Sequence, residues 1–117
     1  MADDEWVIYH NPRCGKSRAA LGLLTERGLA PRVVEYLKTP PTRDELARIV
    51  ARLGIPAAQL VRQGEEIYKP RSAGKRLTEA QWLDALAANP ILIERPIVVR
   101  GERAVVGRPP ERVLELL

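Results

Sequence analysis

A short apolar run, Trp6-Val7-Ile8-Tyr9, and a second strand-like segment, Arg32-Val33-Val34-Glu35-Tyr36, flank a single stretch of helical periodicity, and this alternation narrows the possible folds most. The stretch between them, from about Gly15 to Arg27, gathers Ala20, Leu23 and Leu24 on one face and meets a stop at Gly28. The interval is that of a right-handed βαβ unit, which makes the two strands parallel. Thr39-Pro40-Pro41-Thr42 then breaks the chain. A capping box, Thr42-Arg43-Asp44-Glu45, opens a helix with Leu46, Ile49, Val50 and Leu53 at helical spacing, closed by Gly54. Pro56 to Val61 reads as a short helix and Gln63 to Arg76 as loop. A second capping box, Thr78-Glu79-Ala80-Gln81, starts a helix through Trp82, Leu83 and Leu86 that ends near Asn89-Pro90. Arg95 to Arg100 reads as a strand, turned at Gly101-Glu102 onto an antiparallel partner, Ala104-Val105-Val106. A terminal helix follows Pro109-Pro110 and carries Val113, Leu114 and Leu117.

The order β-α-β, helical block, β-β-α predicts an α/β, thioredoxin-like (glutaredoxin-like) fold. Its mixed four-stranded sheet carries the helical block as an insertion. The 117 residues form a single domain, 1–117, long enough to bury roughly 65% of the unfolded-chain surface without staples. With one cysteine there is no intramolecular disulfide, the N-terminus is acidic where a signal peptide would be basic, and no apolar run reaches membrane-spanning length. The expectation is a cytoplasmic protein without a membrane partner. The net charge of +4 comes from basic residues spread along the chain, Phe is absent, and no stacking platform is legible, so no nucleic-acid partner is expected.

The chemistry centres on His10-Asn11-Pro12-Arg13-Cys14-Gly15-Lys16-Ser17-Arg18. Cys14 falls between a strand and a helix N-terminus, where backbone N–H groups and the helix dipole favour an anion. There a thiol pKa falls from about 8.5 into roughly the 3.5–7.5 range. Asn-Pro before it and Gly after it describe a shaped turn rather than a core position, so Cys14 reads as a nucleophile. His10 has two readings: it assists the thiol by charge or hydrogen bond, or it bonds backbone within the loop. It is the sole histidine, and zinc-ligand spacings are absent, so no metal and no bound cofactor are expected. A phosphatase-type oxyanion loop needs an arginine where Ala20 stands, and a dithiol pair needs a cysteine where Ser17 stands. A Cys-x-x-Ser thiol forms an adduct that it cannot resolve from within the chain, so any redox cycle borrows an outside thiol.

The motif His10-Asn11-Pro12-x-Cys14-Gly15-x-Ser17-Arg18, with Tyr36-Leu37-x-Thr39-Pro40-Pro41-Thr42-Arg43-x-Glu45-Leu46, closely resembles the glutaredoxin-linked arsenate reductase family. The likeness continues through Leu60-Val61-Arg62, the run from Asn89 to Val99, and Gly107-Arg108-Pro109. Lys16 in place of a small hydroxyl residue, and an end at Leu117 without a longer tail, resemble the short chromosomal branch. The resemblance implies Cys14 as nucleophile, Arg62, Arg95 and Arg108 as oxyanion ligands, and a cis bond before Pro96 facing the cysteine. It further implies arsenate as substrate, glutathione as co-substrate and glutaredoxin as protein partner. Two other functions fit the fold: an Spx-type regulator that binds RNA polymerase, and a monothiol glutathione-dependent thiol-transferase. The three arginines have no role in either.

Overall fold

The computed structural model describes residues 5–61, 78–93 and 96–117. The chain divides into two compact units, one of Met1–Thr39 with Arg95–Leu117 and one of Pro40–Glu94.

The first unit is built on a four-stranded mixed sheet. Strand β1 (Trp6–His10) leads into helix α1 (Gly15–Glu26), which returns the chain to β2 (Arg32–Glu35), parallel to β1 with Ile8 beside Val33. Strand β3 (Ile97–Arg100) pairs antiparallel with β1, and β4 (Arg103–Val106) antiparallel with β3, giving the order β2-β1-β3-β4. Trp6, Ile8, Val98 and Val105 from the strands meet Ala20 and Leu24 of α1 and Val113 and Leu116 of the C-terminal segment in one apolar core. Val7, Ile97 and Val99, of opposite parity, are buried as well. Burial on both faces explains why β1 and β3 read as continuous apolar runs rather than alternating ones.

Three boundaries differ from the sequence reading. Strand β2 stops at Glu35, whose carbonyl accepts the N–H groups of Lys38 and Thr39, both at 2.9 Å, so Tyr36 leaves the ladder and is buried in the turn. Strand β3 begins at Ile97, after Pro96, which has no N–H to donate to a ladder. The terminal segment Pro110–Leu116 is a 3-10 helix, not an α-helix. With three residues per turn, Val113 and Leu116 eclipse and both enter the core, whereas Leu117 is half exposed. Two guanidiniums hold its end: Arg100 and Arg103 each donate to the Leu116 carbonyl at 2.6 Å, and Arg100 also lies 5.2 Å from the Trp6 ring centroid.

Gly107 joins β4 to that segment under tight packing. A Cβ there would lie 3.0 Å from Pro96 Cγ and from Val113 Cγ1, one a ring atom and one on a β-branched side chain, neither able to swing away. Gly107→Ala is therefore expected to destabilise the protein by about 1–3 kcal/mol through overpacking. Urea titration would show this as a lower midpoint at unchanged slope. An unchanged midpoint would mean that the backbone yields freely at this point.

The second unit shows both capping boxes as read. Helix α2 (Arg43–Leu53) is capped by Thr42 and helix α3 (Glu79–Ala88) by Thr78, each with reciprocal bonds to Glu45 and Gln81. Gly54, at φ 70°, ends α2 in the left-handed region that a side chain would resist. Ala57–Leu60 and Pro90–Leu92 are 3-10 turns, and Val61 bridges Ile93. Both carboxylate oxygens of Glu79 accept the Ala57 N–H at 3.1 Å, and Arg43 meets Asp84 at 2.6 Å. The loop expected over Gln63 to Arg76 lies outside the described residues.

Candidate active site

Four residues between β1 and α1 shape the site. The Asn11 carbonyl accepts the Cys14 N–H at 2.9 Å, closing a β-turn with Pro12 and Arg13 at its centre. Asn at the first position and Pro at the second are the residues such a turn prefers. The Asn11 side chain also accepts the Arg13 N–H at 3.0 Å, a local Asx turn that stiffens the same bend. Cys14 is then the N-cap of α1, and its carbonyl accepts the Arg18 N–H at 3.0 Å as the helix begins. It is partly exposed, and its side chain makes no capping bond. No acidic side chain occupies the first turn of α1. The first N–H groups of a helix lack intrahelical acceptors, so this end of α1 favours an anion beside the thiol.

A second layer of bonds holds the turn from behind. Ser17, fully buried, accepts the Asn11 N–H at 3.0 Å and lies 2.6 Å from His10 Nδ1. Donation of the Ser17 O–H to Nδ1 satisfies both groups and leaves the imidazole proton on Nε2. Arg18 folds back over the turn and donates to the Pro12 carbonyl at 2.8 Å. Neither contact was visible in the sequence, where Ser17 only marked a missing second cysteine. The spacing from His10 to Ser17 has meaning only once a strand and a helix fold onto each other.

His10 is 7% exposed, and burial holds its pKa below the usual 6.5; the nearby Glu35 carboxylate raises it and the Arg18 guanidinium lowers it further. The ring therefore acts at neutral pH as a neutral hydrogen-bonding group rather than a cation. Of its two sequence readings, the loop-bonding one is modified: the partner is a side chain, Ser17, not backbone. The lowered pKa has a consequence for stability. The unfolded chain takes up a proton below about pH 6.5 that the folded chain resists, so stability is held above that pH and lost as pH falls through it. Denaturant titrations at pH 7.5 and 5.5 should show a smaller pH-dependent loss in His10→Asn than in the parent. Equal losses would show that His10 does not carry the effect.

Among the predicted oxyanion ligands, Arg62 and Arg95 lie outside the described residues, and so does the Arg95–Pro96 bond. Pro96 itself is buried, and its carbonyl accepts the Gly107 N–H at 2.7 Å. Arg108 follows directly. It is half-buried, its N–H donates to the Val106 carbonyl at 2.9 Å, and the bond to Pro109 is cis. That cis bond was not expected from the sequence. Among the described residues no three His, Cys, Asp or Glu side chains gather as a metal site, and no helix is long and apolar enough to cross a membrane.

Comparison with known proteins covers nearly the whole chain. The ArsC family model matches residues 9–116. Escherichia coli YfgD, described as uncharacterized, is 48% identical over 112 residues, spanning 94% of each chain. An arsenate reductase of Neisseria meningitidis serogroup A is 46% identical over 115 residues, 97% of this chain and 98% of that one. The solved structure of an arsenate reductase from Vibrio cholerae superposes with a TM-score of 0.94 at 46% identity, covering 97% of this chain and 98% of that one.

Proposed function

This chain belongs to the ArsC family, and from that premise we propose that it reduces arsenate to arsenite with Cys14 as the nucleophile. The observation that carries the reading is the placement of the sole cysteine as N-cap of α1, at the end of the Asn11–Cys14 turn. The family resemblance assigns Arg62, Arg95 and Arg108 to the tetrahedral anion, which guanidiniums bind by charge-assisted hydrogen bonds. His10 acts through Ser17, which ties the imidazole to the backbone of the turn.

The Cys14 thiolate attacks arsenic, a sulfur–arsenic bond forms, and one oxygen leaves as water. The arginines stabilise the charge that builds on the remaining oxygens. Glutathione adds its sulfur to arsenic, and a second water leaves. A glutaredoxin thiolate then attacks the glutathione sulfur. The new disulfide forms as that sulfur–arsenic bond breaks, and its electron pair stays on arsenic, which becomes trivalent. Water cleaves the remaining bond, releasing arsenite and the Cys14 thiol. Two thiols end as one mixed disulfide, matching the two electrons gained by arsenic. The reading takes 1–117 as one functional domain in the reducing cytoplasm, with no resident cofactor. Phosphate occupies the same anion site as an inhibitor.

The test is reconstitution. Arsenate-dependent NADPH oxidation should require glutathione, glutathione reductase and glutaredoxin together, and thioredoxin with its reductase should substitute poorly. Absence of arsenate-dependent oxidation in the complete system would overturn the assignment. Reduction of a glutathionylated peptide would then favour the thiol-transferase, and RNA polymerase binding without either activity the regulator.

A further inference from the structure

The turn that carries Cys14 is gripped from the first turn of α1. Ser17 Oγ accepts the Asn11 N–H at 3.0 Å, Arg18 Nη1 donates to the Pro12 carbonyl at 2.8 Å, and the Arg18 N–H donates to the Cys14 carbonyl at 3.0 Å. Arg18 thus contributes one bond through its backbone and one through its side chain. The side-chain bond acts on the Pro12–Arg13 peptide, the central unit of the β-turn. Arg18 holds that peptide by its carbonyl, and Asn11 Oδ1 holds it by its N–H at 3.0 Å. A flip of this unit, from a type I to a type II turn, would break both bonds and force Arg13 to positive φ. No described residue other than glycine has positive φ, so the peptide stands in the first of these states.

The same guanidinium brings charge to the turn. A Cβ on Gly15 would lie 3.7 Å from Arg18 Nη2, so the group reaches from Pro12, two residues before Cys14, to the residue after it. Its bond to a carbonyl cancels no charge, and no carboxylate among the described residues pairs with it. Its field also reaches the inner side of the turn. Burial chiefly holds His10 below its ordinary pKa, Glu35 raises it, and Arg18 lowers it further. We propose that Arg18 is a positioning residue for the reaction: it fixes the turn that presents Cys14, and its charge favours the thiolate over the thiol. This rests on the reading of Cys14 as the nucleophile, and it adds which side chain outside the anion-binding trio prepares that nucleophile. Arg13 and Lys16, exposed neighbours of Cys14 in the chain, and Arg108 after β4 carry the same sign, whereas Glu35, beside His10 on β2, opposes it. Arg18 is anchored on the turn by its side chain, so its charge keeps one place there instead of being averaged over rotamers.

The chain has one cysteine and one histidine, so each serves as its own reporter. Iodoacetamide alkylation followed against pH reads the Cys14 midpoint, and the imidazole C2–H resonance reads His10. In Arg18→Gln, alkylation below the midpoint should slow about three- to tenfold and converge with the parent above it. The effect is modest because Arg18 is exposed and solvent screens it, and for the same reason the variant should fold. The His10 midpoint should rise in the same variant. Arg18→Lys, which keeps the charge, should recover most of the parent's thiol midpoint. Arg27→Gln, an equal charge loss at the far end of α1, should leave both midpoints in place. Arsenate turnover by Arg18→Gln should be depressed at low pH and approach the parent's as pH rises. Slower alkylation at every pH with an unmoved midpoint would reduce Arg18 to a brace and overturn the proposal. Equal shifts in Arg18→Gln and Arg27→Gln would overturn it too, and either result leaves the reductase reading standing. A thiol midpoint that moves in Arg18→Gln and returns in Arg18→Lys, in a protein that reduces no arsenate, would support the proposal and remove the reductase reading instead.

Discussion

Cys14→Ser is expected to show no arsenate-dependent NADPH oxidation above the enzyme-free rate, while folding at least as stably as the parent. A hydroxyl is a far weaker nucleophile than a thiolate at neutral pH, so the first sulfur–arsenic bond never forms. The fold survives because the bonds that place residue 14 are backbone bonds, to the Asn11 carbonyl and from the Arg18 N–H. Stability should even rise. Position 14 is the N-cap of α1, and cysteine makes no side-chain cap there. Serine is among the preferred N-caps and would satisfy an N–H left open, adding about 0.5–1 kcal/mol. A gain in stability coupled to total loss of turnover is the signature of a site where function displaces the residue that local structure prefers. Activity assays and urea titration of the same preparation check both halves. Residual turnover near the parent rate would remove Cys14 from the mechanism, and a large loss of stability would show that the thiol has a structural role.

The same competition explains what the sequence made legible. The Asn11-Pro12-Arg13-Cys14 turn and the boxes at Thr42 and Thr78 are local devices whose residue types state their geometry, and all three appear where the residues said. The parallel β1–β2 pair followed from the length of the βαβ interval and the β3–β4 hairpin from the short turn at Gly101, whereas the β1–β3 pairing that joins them has no local signal in the chain. The terminal segment misled because Val113, Leu114 and Leu117 suit an α-helical face. Its actual period of three instead selects Leu116, whose carbonyl is held from another part of the sheet by Arg100 and Arg103. Ser17 was passed over for a related reason: a serine in a first helical turn looks like a solvated residue until burial places it against His10. Among fifteen arginines, local chemistry distinguishes none as an oxyanion ligand. Only the resemblance to a known family selected Arg62, Arg95 and Arg108.

Arg108→Lys tests the described member of that trio, and it should lower kcat/KM for arsenate by about 10²–10³, the usual effect of losing one preorganised donor. Lysine keeps the charge, so a large effect isolates geometry: a planar fork bonds two oxyanion oxygens at once, and an ammonium acts as a point charge. The backbone around Arg108 makes compensation difficult. Gly107 is wedged between Pro96 and Val113, the Arg108 N–H is held by the Val106 carbonyl, and Pro109, directly after Arg108, has its own φ locked by its ring. With its base fixed on both sides, residue 108 cannot shift to bring a shorter reach of donors onto the anion. Thermal or urea stability should stay within about 1 kcal/mol of the parent, because lysine keeps the charge and most of the aliphatic stem of this half-buried side chain. Arg112→Lys supplies the comparison, since Arg112 is exposed and its 3.4 Å contact with Glu115 is a surface pair that contributes little. Steady-state kinetics of both variants would decide the matter. Parent-level kcat/KM in Arg108→Lys, alongside a similar result for Arg112→Lys, would mean that Arg108 is only part of the link after β4 and that the anion is held elsewhere.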